Sequence, residues 1–531
     1  MKNNGAYQQP LETSPVARMA RAAGIVLLLN LLSRLLGFVR DASIAAVFGA
    51  GAATDAYLVA YTIPYFLETI LGMAFVTVMV PVVTTYLVKG ERRQGWAVAS
   101  AVGNWTVLLT LVLAVAGIGL APWLVKALAP GFTGQDYSLA VKLTRIMFLS
   151  LPFMATGMLV SGILNAGYIF TSPALAPATS NIIIIAIVLL GGARYGVTGL
   201  AVGTVFGFIG FLLIQLPDLP RLQFSYQRQF MPHHPAVRQI GRHLLPVCFS
   251  LAVVQLYLAT NRVFASQLLP GSITALDFGN RLVAVPLGVF VASVTTAIFP
   301  ALAEQAARDN HEEMARLIDR GLGLVTLMIL PAAVGLIVLR QPLVQLIFQR
   351  GAFDAQATAM TSTAVLYFCF GLLAQAMHPI FTRTFYALQD VSVPVITGLI
   401  SVVLNIIGSY ILAPRLGHGG LALANSLAIT LYTLMLYLTL KRRLPQIKGT
   451  ALLAVVAKVG LIALVMGLLV WFAGQTLAVF AWQGSPLGLL LRTGVLVAAG
   501  VLVFAGLGLC LGLEEIKIIR GLFLKRLQRG H

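Results

Sequence analysis

Long, nearly unbroken apolar runs dominate the chain, and they restrict it to one solvent. A helix crossing lipid must satisfy every backbone N–H and C=O within itself, which takes roughly 20 mainly apolar residues. Fourteen such runs are legible, at 24–48, 56–86, 97–121, 143–164, 174–191, 196–216, 244–268, 281–303, 321–339, 361–382, 392–413, 419–440, 451–474 and 486–511. With 59% of its 531 residues hydrophobic and only 10% charged, the chain has too little polar surface for a water-soluble fold. The runs are also too long and uniform for the alternating strands of about ten residues that build membrane β-barrels. The expected fold class is an all-α integral membrane protein with 14 transmembrane helices.

Arg18 and Arg21 precede the first apolar run, as they would in a cleaved signal, but no small-residue cleavage site follows. Arg34 and Arg40 interrupt that run, so it reads as a retained first span. Cys248, Cys369 and Cys510 lie inside apolar segments, where free cysteine behaves as a small hydrophobe, and the scattered histidines show no ligand spacing. No metal site, disulfide or cofactor is expected.

The net charge of +19 could suggest a nucleic-acid partner, but its distribution argues for topology instead. With the N-terminus inside, 23 Lys and Arg fall in cytoplasmic segments and 7 outside. The positive-inside rule then puts both termini of a multi-pass membrane protein in the cytoplasm, and no nucleic-acid partner is expected. The basic tail 513–531 is expected to lie along the anionic leaflet.

Landmarks recur at a spacing close to 221 residues. Asp55 and Pro64 correspond to Asp277 and Pro286, and Pro122 and Gly131 to Pro342 and Gly351. Asn165 and Pro173 correspond to Tyr386 and Pro394, and the stripe Gly199, Gly203, Gly207 to Gly420, Ala424, Ala428. Such stripes let helix backbones approach closely, and packing is the preferred reading of them. The recurrence predicts two six-helix lobes related by internal duplication, with the even span number placing their axis along the membrane normal. The expected layout is a cytoplasmic tail over 1–23, an N-terminal lobe over 24–216, a cytoplasmic linker over 217–243 and a C-terminal lobe over 244–440. Two appended helices over 441–512 and the basic tail 513–531 complete it.

A charge at the centre of a membrane helix costs roughly 2.5 to 3.5 kcal/mol even on lenient insertion scales, so such residues usually face a wet cavity or a partner. Arg34, Arg40 and Asp41 lie in the first run, with Gly37 between the arginines as a point of backbone irregularity, while Asp55 opens the second and Glu68 lies deep inside it. Arg262 is in the seventh run and Arg281 opens the eighth. If they converge between the lobes, the four arginines outnumber the three carboxylates. A phosphate or pyrophosphate that guanidinium holds in bidentate fashion is the favoured ligand.

The pattern LSRLLGFVRDASIAAVFGAGAATDAYLVAYTIP from Leu32 to Pro64 resembles the signature of the MurJ/MviN family, within the multidrug, oligosaccharidyl-lipid and polysaccharide exporter superfamily. APGF at Ala129–Phe132, LNAGYIFTSPALAP at Leu164–Pro177, FQRGAFDA at Phe348–Ala355 and FYALQDVSVPV at Phe385–Val395 extend the resemblance over the twelve-span body. The resemblance implies a two-lobed flippase that moves lipid II, the undecaprenyl-pyrophosphate-linked peptidoglycan precursor, from the cytoplasmic to the outer leaflet. It also implies a place in the bacterial inner membrane, substrate binding by Arg34, Arg40, Asp55 and Arg281, and a lipid tail held by the last two helices; Asp41, Glu68 and Arg262, singled out above by their charge alone, are secondary cavity candidates. Where the family often has Arg followed by an Ala-Glu-Gly-Ala-Phe run, this chain reads YFLETILGMAF, with Glu68 in place of the cation. The seventh run has no Asp to match the sodium site of some relatives, so a coupling ion is not carried over.

Alternating access is the expected mechanism, with the prenyl tail remaining in lipid. No Gly-rich phosphate loop ending in Lys-Ser or Lys-Thr is present, so an ion gradient, the membrane potential or product consumption must supply the energy. The competing readings are a flippase for another polyprenyl-linked oligosaccharide, such as an exopolysaccharide unit, and a membrane glycosyltransferase. The latter would need acidic residues in a sizeable loop, yet Pro217–His243 has only Asp218.

Overall fold

The computed structural model describes residues 15–447, 449–479 and 485–512, and every regular element among them is helical. The first three helices are α1 (Pro15–Phe48), α2 (Ala52–Val88) and α3 (Arg92–Leu128), followed by α4 (Gly134–Phe148), α5 (Leu151–Ala166) and α6 (Thr171–Leu213). After a short 3-10 turn at Leu216–Leu222 come α7 (Pro235–Ala265), α8 (Ser272–Pro286) and α9 (Ala292–Ala307), the last two joined by a π-helical turn at Leu287–Val291. Then follow α10 (His311–Phe348), α11 (Ala355–Cys369), α12 (Leu372–Ala387), α13 (Ser392–Arg443), α14 (Gly449–Val479) and α15 (Pro486–Cys510). Among the described residues seven helices are long and apolar enough to cross a bilayer, or nine if each of two bent pairs is one span.

The bent pairs correct two of the expected continuous runs. The run over 143–164 is broken between α4 and α5 by 40°, where Pro152 stands at the start of α5 and cannot donate a backbone hydrogen bond to the preceding turn. The run over 361–382 is broken between α11 and α12 by 48° at Gly371, whose missing side chain leaves room for the Ser426 backbone. A Cβ on Gly371 would stand 2.7 Å from the Ser426 Cα.

Two further corrections concern loops that are absent. The runs 174–191 and 196–216 are not joined by a connecting loop, because helical structure continues to Gly196, where φ 58° and ψ −156° reverse the chain. Gly203 then packs on Ile187, Gly207 on Ser180 and Ile184, and Gly210 on Ile183. In α13 the same happens at Gly417, with φ 57° and ψ −138°. Gly408 then meets Ala424, and the Ser401 hydroxyl donates to the Ala428 carbonyl at 2.9 Å. The small-residue stripes therefore pack helix on helix, as read from their spacing.

Gly196 and Gly417 stand 221 residues apart, as do the left-handed residues Tyr168 (φ 61°) and Gln389 (φ 58°) that follow α5 and α12. The starts of α4 and α11, and of α6 and α13, are separated by the same interval.

The chain divides into two compact units. One comprises the residues up to Ile44, Ala60–Pro122 and Val141–Leu251; the other comprises Ala45–Val59, Trp123–Ala140 and the chain from Ala252 onward. In the first, the stretch expected as a polar linker is held as a strap. Leu219, Leu222 and Phe224 pack on a core that includes Met79, Trp96 and Ile163. Asn104 Nδ2 donates to the Gln229 carbonyl at 2.8 Å, and Trp105 Nε1 to the Phe230 carbonyl at 2.9 Å.

Candidate functional site

The expected site residues fall into three local arrangements. In the first unit, α1 runs helical through Gly37, where an irregular backbone was expected. Gly37 instead leaves space for Asn181 of α6, whose amide nitrogen lies 3.7 Å from where a Cβ would be. Arg40 donates from Nε and Nη2 to Asp41 Oδ1 at 3.0 and 2.9 Å, and from Nη1 to Asn181 Oδ1 at 3.0 Å. Asn181 Nδ2 donates onward to the Ser33 carbonyl at 3.3 Å. The Arg40 fork is thus held in one orientation by a buried carboxylate and a buried amide, with 20% of the side chain exposed. Arg34, six residues earlier, is turned by about 240° around the helix and is exposed among Leu31, Leu32 and Leu35.

In the second unit, Asp55 occupies the first turn of α2 and is 2% exposed. Its Oδ2 accepts from the Gly271 backbone N–H at 2.7 Å, and its Oδ1 from the Thr274 N–H at 2.8 Å and the Thr274 hydroxyl at 2.6 Å. Gly271 begins α8 and has no side chain to cap it. Asp55 supplies that acceptor from a distant part of the sequence, and its charge suits the positive end of the helix dipole. Its carboxylate thereby ties the first turn of α2 to the start of α8 through three hydrogen bonds.

The third arrangement is a triad that the sequence reading only half identified. Asp277 bridges two arginines: Oδ1 accepts from Arg262 Nη2 and Oδ2 from Arg281 Nε, both at 2.8 Å. The side chains are 7%, 15% and 28% exposed for Arg262, Asp277 and Arg281, so the most accessible member of the triad is Arg281. With two cations on one anion, the triad keeps one formal positive charge. Because α8 starts at Ser272, Arg281 lies in its third turn rather than at the opening of a span. Asp277 was visible only as the counterpart of Asp55 in the repeat, although its place four residues before Arg281 is a helix ion-pair signal. The π-helical turn follows Pro286 directly, a distortion frequent at functional sites. Glu68 belongs to α2, but its side chain lies outside the described residues. Among the described residues no cluster of three or more His, Cys, Asp or Glu could hold a metal.

Apolar membrane-length helices and arginines tied to buried carboxylates define a polytopic membrane protein, and its fold is that of the MATE-type transporters. It superposes on an inward-facing MATE family multidrug transporter of the MOP superfamily with a TM-score of 0.64 and 14% identity, covering 81% of this chain and 99% of that one. Residues 44–490 match the family described as lipid II flippase MurJ, and the chain belongs to that family. It is 31% identical over 465 residues to the lipid II flippase MurJ of Burkholderia cenocepacia, covering 86% of this chain and 89% of that protein. It is 32% identical to a probable lipid II flippase MurJ of Vibrio cholerae, covering 80% and 83%. A solved lipid II flippase MurJ in an inward closed conformation shares the fold with a TM-score of 0.75 at 24% identity, covering 90% of this chain and 96% of that one.

Proposed function

We propose that the protein is a lipid II flippase, carrying the undecaprenyl-pyrophosphate-linked precursor from the cytoplasmic to the outer leaflet for cell wall synthesis. Family membership over residues 44–490 carries this reading. The arginines add a chemical reason. The side chains of Arg34, Arg40 and Arg281 are each at least partly exposed, and a pyrophosphate offers the bidentate acceptors that guanidinium prefers. Asp41 and Asp277 orient Arg40 and Arg281, Arg262 anchors Asp277, and Asp55 fixes the start of the helix that carries Arg281.

The proposed architecture has fourteen spans in two six-span repeats, with α14 and α15 appended and both termini in the cytoplasm. The hairpin reversals and helix breaks recurring 221 residues apart support the duplication, and the basic residues support the orientation. Transport proceeds by alternating access without a cofactor, as a carrier rather than a catalyst.

The test is replacement of a resident lipid II flippase by this protein alone, with lipid II measured on the outer leaflet. Growth and outer-leaflet lipid II at parental levels are expected. Restored export of an exopolysaccharide unit without growth would instead assign the protein to another polyprenyl-linked oligosaccharide.

A further inference from the structure

Apart from the arginine arrangements, the second unit contains a cavity of about 660 Å³ where α10, α14 and α15 pack together. Part of its wall is apolar, from Leu339, Val470 and Leu496. Leu464, Leu468 and Trp471 on α14 also line it and are 59%, 58% and 47% exposed, so the cavity reaches the outer surface of that helix. Two guanidiniums, Arg340 and Arg492, and two amides, Gln341 and Gln475, line the same space, and no carboxylate does.

The internal hydrogen bonds of these arginines leave their charge uncompensated. Arg340 Nη1 donates to the Ile337 carbonyl and Arg492 Nη2 to the Gly474 carbonyl, both at 2.6 Å. Arg492 Nε is buried with no hydrogen-bond partner among the described residues, and neither arginine has an ion pair there. Two like charges sharing a small cavity in membrane-crossing helices are unfavourable unless an anion joins them. Depth indicates which anion. Arg492 lies six residues into α15, about 9 Å along a helix about 37 Å long, while the hydrocarbon core is about 30 Å thick. Its guanidinium therefore reaches the boundary between acyl chains and headgroups.

We propose that this cavity binds one anionic phospholipid of the surrounding leaflet. The phosphate sits between Arg340 and Arg492, the amides of Gln341 and Gln475 take polar oxygens next to it, and an acyl chain runs along Leu464 and Leu468. The mainly apolar wall, open on a membrane-facing helix, favours a lipid over a soluble anion.

Native mass spectrometry of the full-length protein in micelles doped with equal phosphatidylglycerol and phosphatidylcholine tests this. The parent protein should retain phosphatidylglycerol in preference by about tenfold or more, the scale of one charge-assisted contact. Arg340→Gln with Arg492→Gln should bring the preference near unity, and Arg340→Lys with Arg492→Lys should keep most of it. The single Gln variants, each lowering the preference, keep the test decisive should the double variant fail to fold. An unchanged preference in the Gln variants overturns the proposal, as does equal loss in the Lys and Gln variants. So does displacement of the bound lipid by inorganic phosphate alone, which would mark a soluble-anion site. The readout is lipid retention, so it is independent of transport.

Discussion

Single residues divide into those whose role was legible from their cost and those that were not. Arg34, Arg40, Arg262 and Arg281 stand out because a charge in an apolar run needs a reason. Asp277 did not, because SITALDFGNR reads as a polar lead-in to a span. It is helical because Asp55, 216 residues before Gly271, caps α8. No local pattern contains that hydrogen bond. Two outcomes follow from the geometry. Arg281→Ala removes the most exposed cation of the triad and should lower lipid II translocation at least about tenfold with normal membrane levels, read as outer-leaflet lipid II in depleted cells. Asp277→Asn leaves Arg262 buried beside a neutral amide and should cost about 3 to 5 kcal/mol of stability, read as an earlier unfolding transition of the purified protein.

At the scale of helices, apolar runs and small-residue stripes were readable, whereas the breaks and reversals were not. Composition counts hydrophobicity without reporting where Pro152 or Gly371 interrupts a run. Gly196 and Gly417 adopt positive φ with strongly negative ψ, a region essentially confined to glycine. Gly417→Ala should destabilise by about 1 to 3 kcal/mol even though nothing lies within 4 Å of the site where a Cβ would stand, and Gly196→Ala should match it. Equal stability of either variant in thermal unfolding would show that the backbone there relaxes.

Asp390 ties together the two ends of α13. It accepts from the Ser392 and Val393 N–H groups at the start and pairs with Arg443 at 2.6 Å at the end. Desolvation pushes its carboxyl pKa upward, but the hydrogen bonds from Val393, Arg443 and Ser392 and the Arg443 charge outweigh it and hold it below the usual range. A lowered folded-state pKa stabilises above the unfolded value of about 3.9, and that contribution disappears as pH falls through the lower folded value. Asp390→Asn should therefore destabilise at neutral pH and flatten the loss of stability below about pH 4, read from melting curves across pH.

For the whole molecule, membrane character and family were fixed by long-range features of the sequence, the apolar runs and the motif string from Leu32 to Pro64. The packing of the 217–243 stretch was not, since its polar composition hides the apolar anchors Leu219, Leu222 and Phe224. The proposed orientation predicts distinct labelling in a background lacking Cys248, Cys369 and Cys510. A cysteine replacing Asp309 should react with an impermeant maleimide only in opened cells, and one replacing Ser485 should react in intact cells. The reverse pattern would invert the topology.

The two helical hairpins built around Gly196 and Gly417 turn without any intervening loop. Neither a protease nor an antibody has a flexible tip to seize at these corners, and an epitope tag inserted there would have to unwind helix to be displayed. Each hairpin also leaves its two helices no slack, so their joined ends cannot part without unwinding helix.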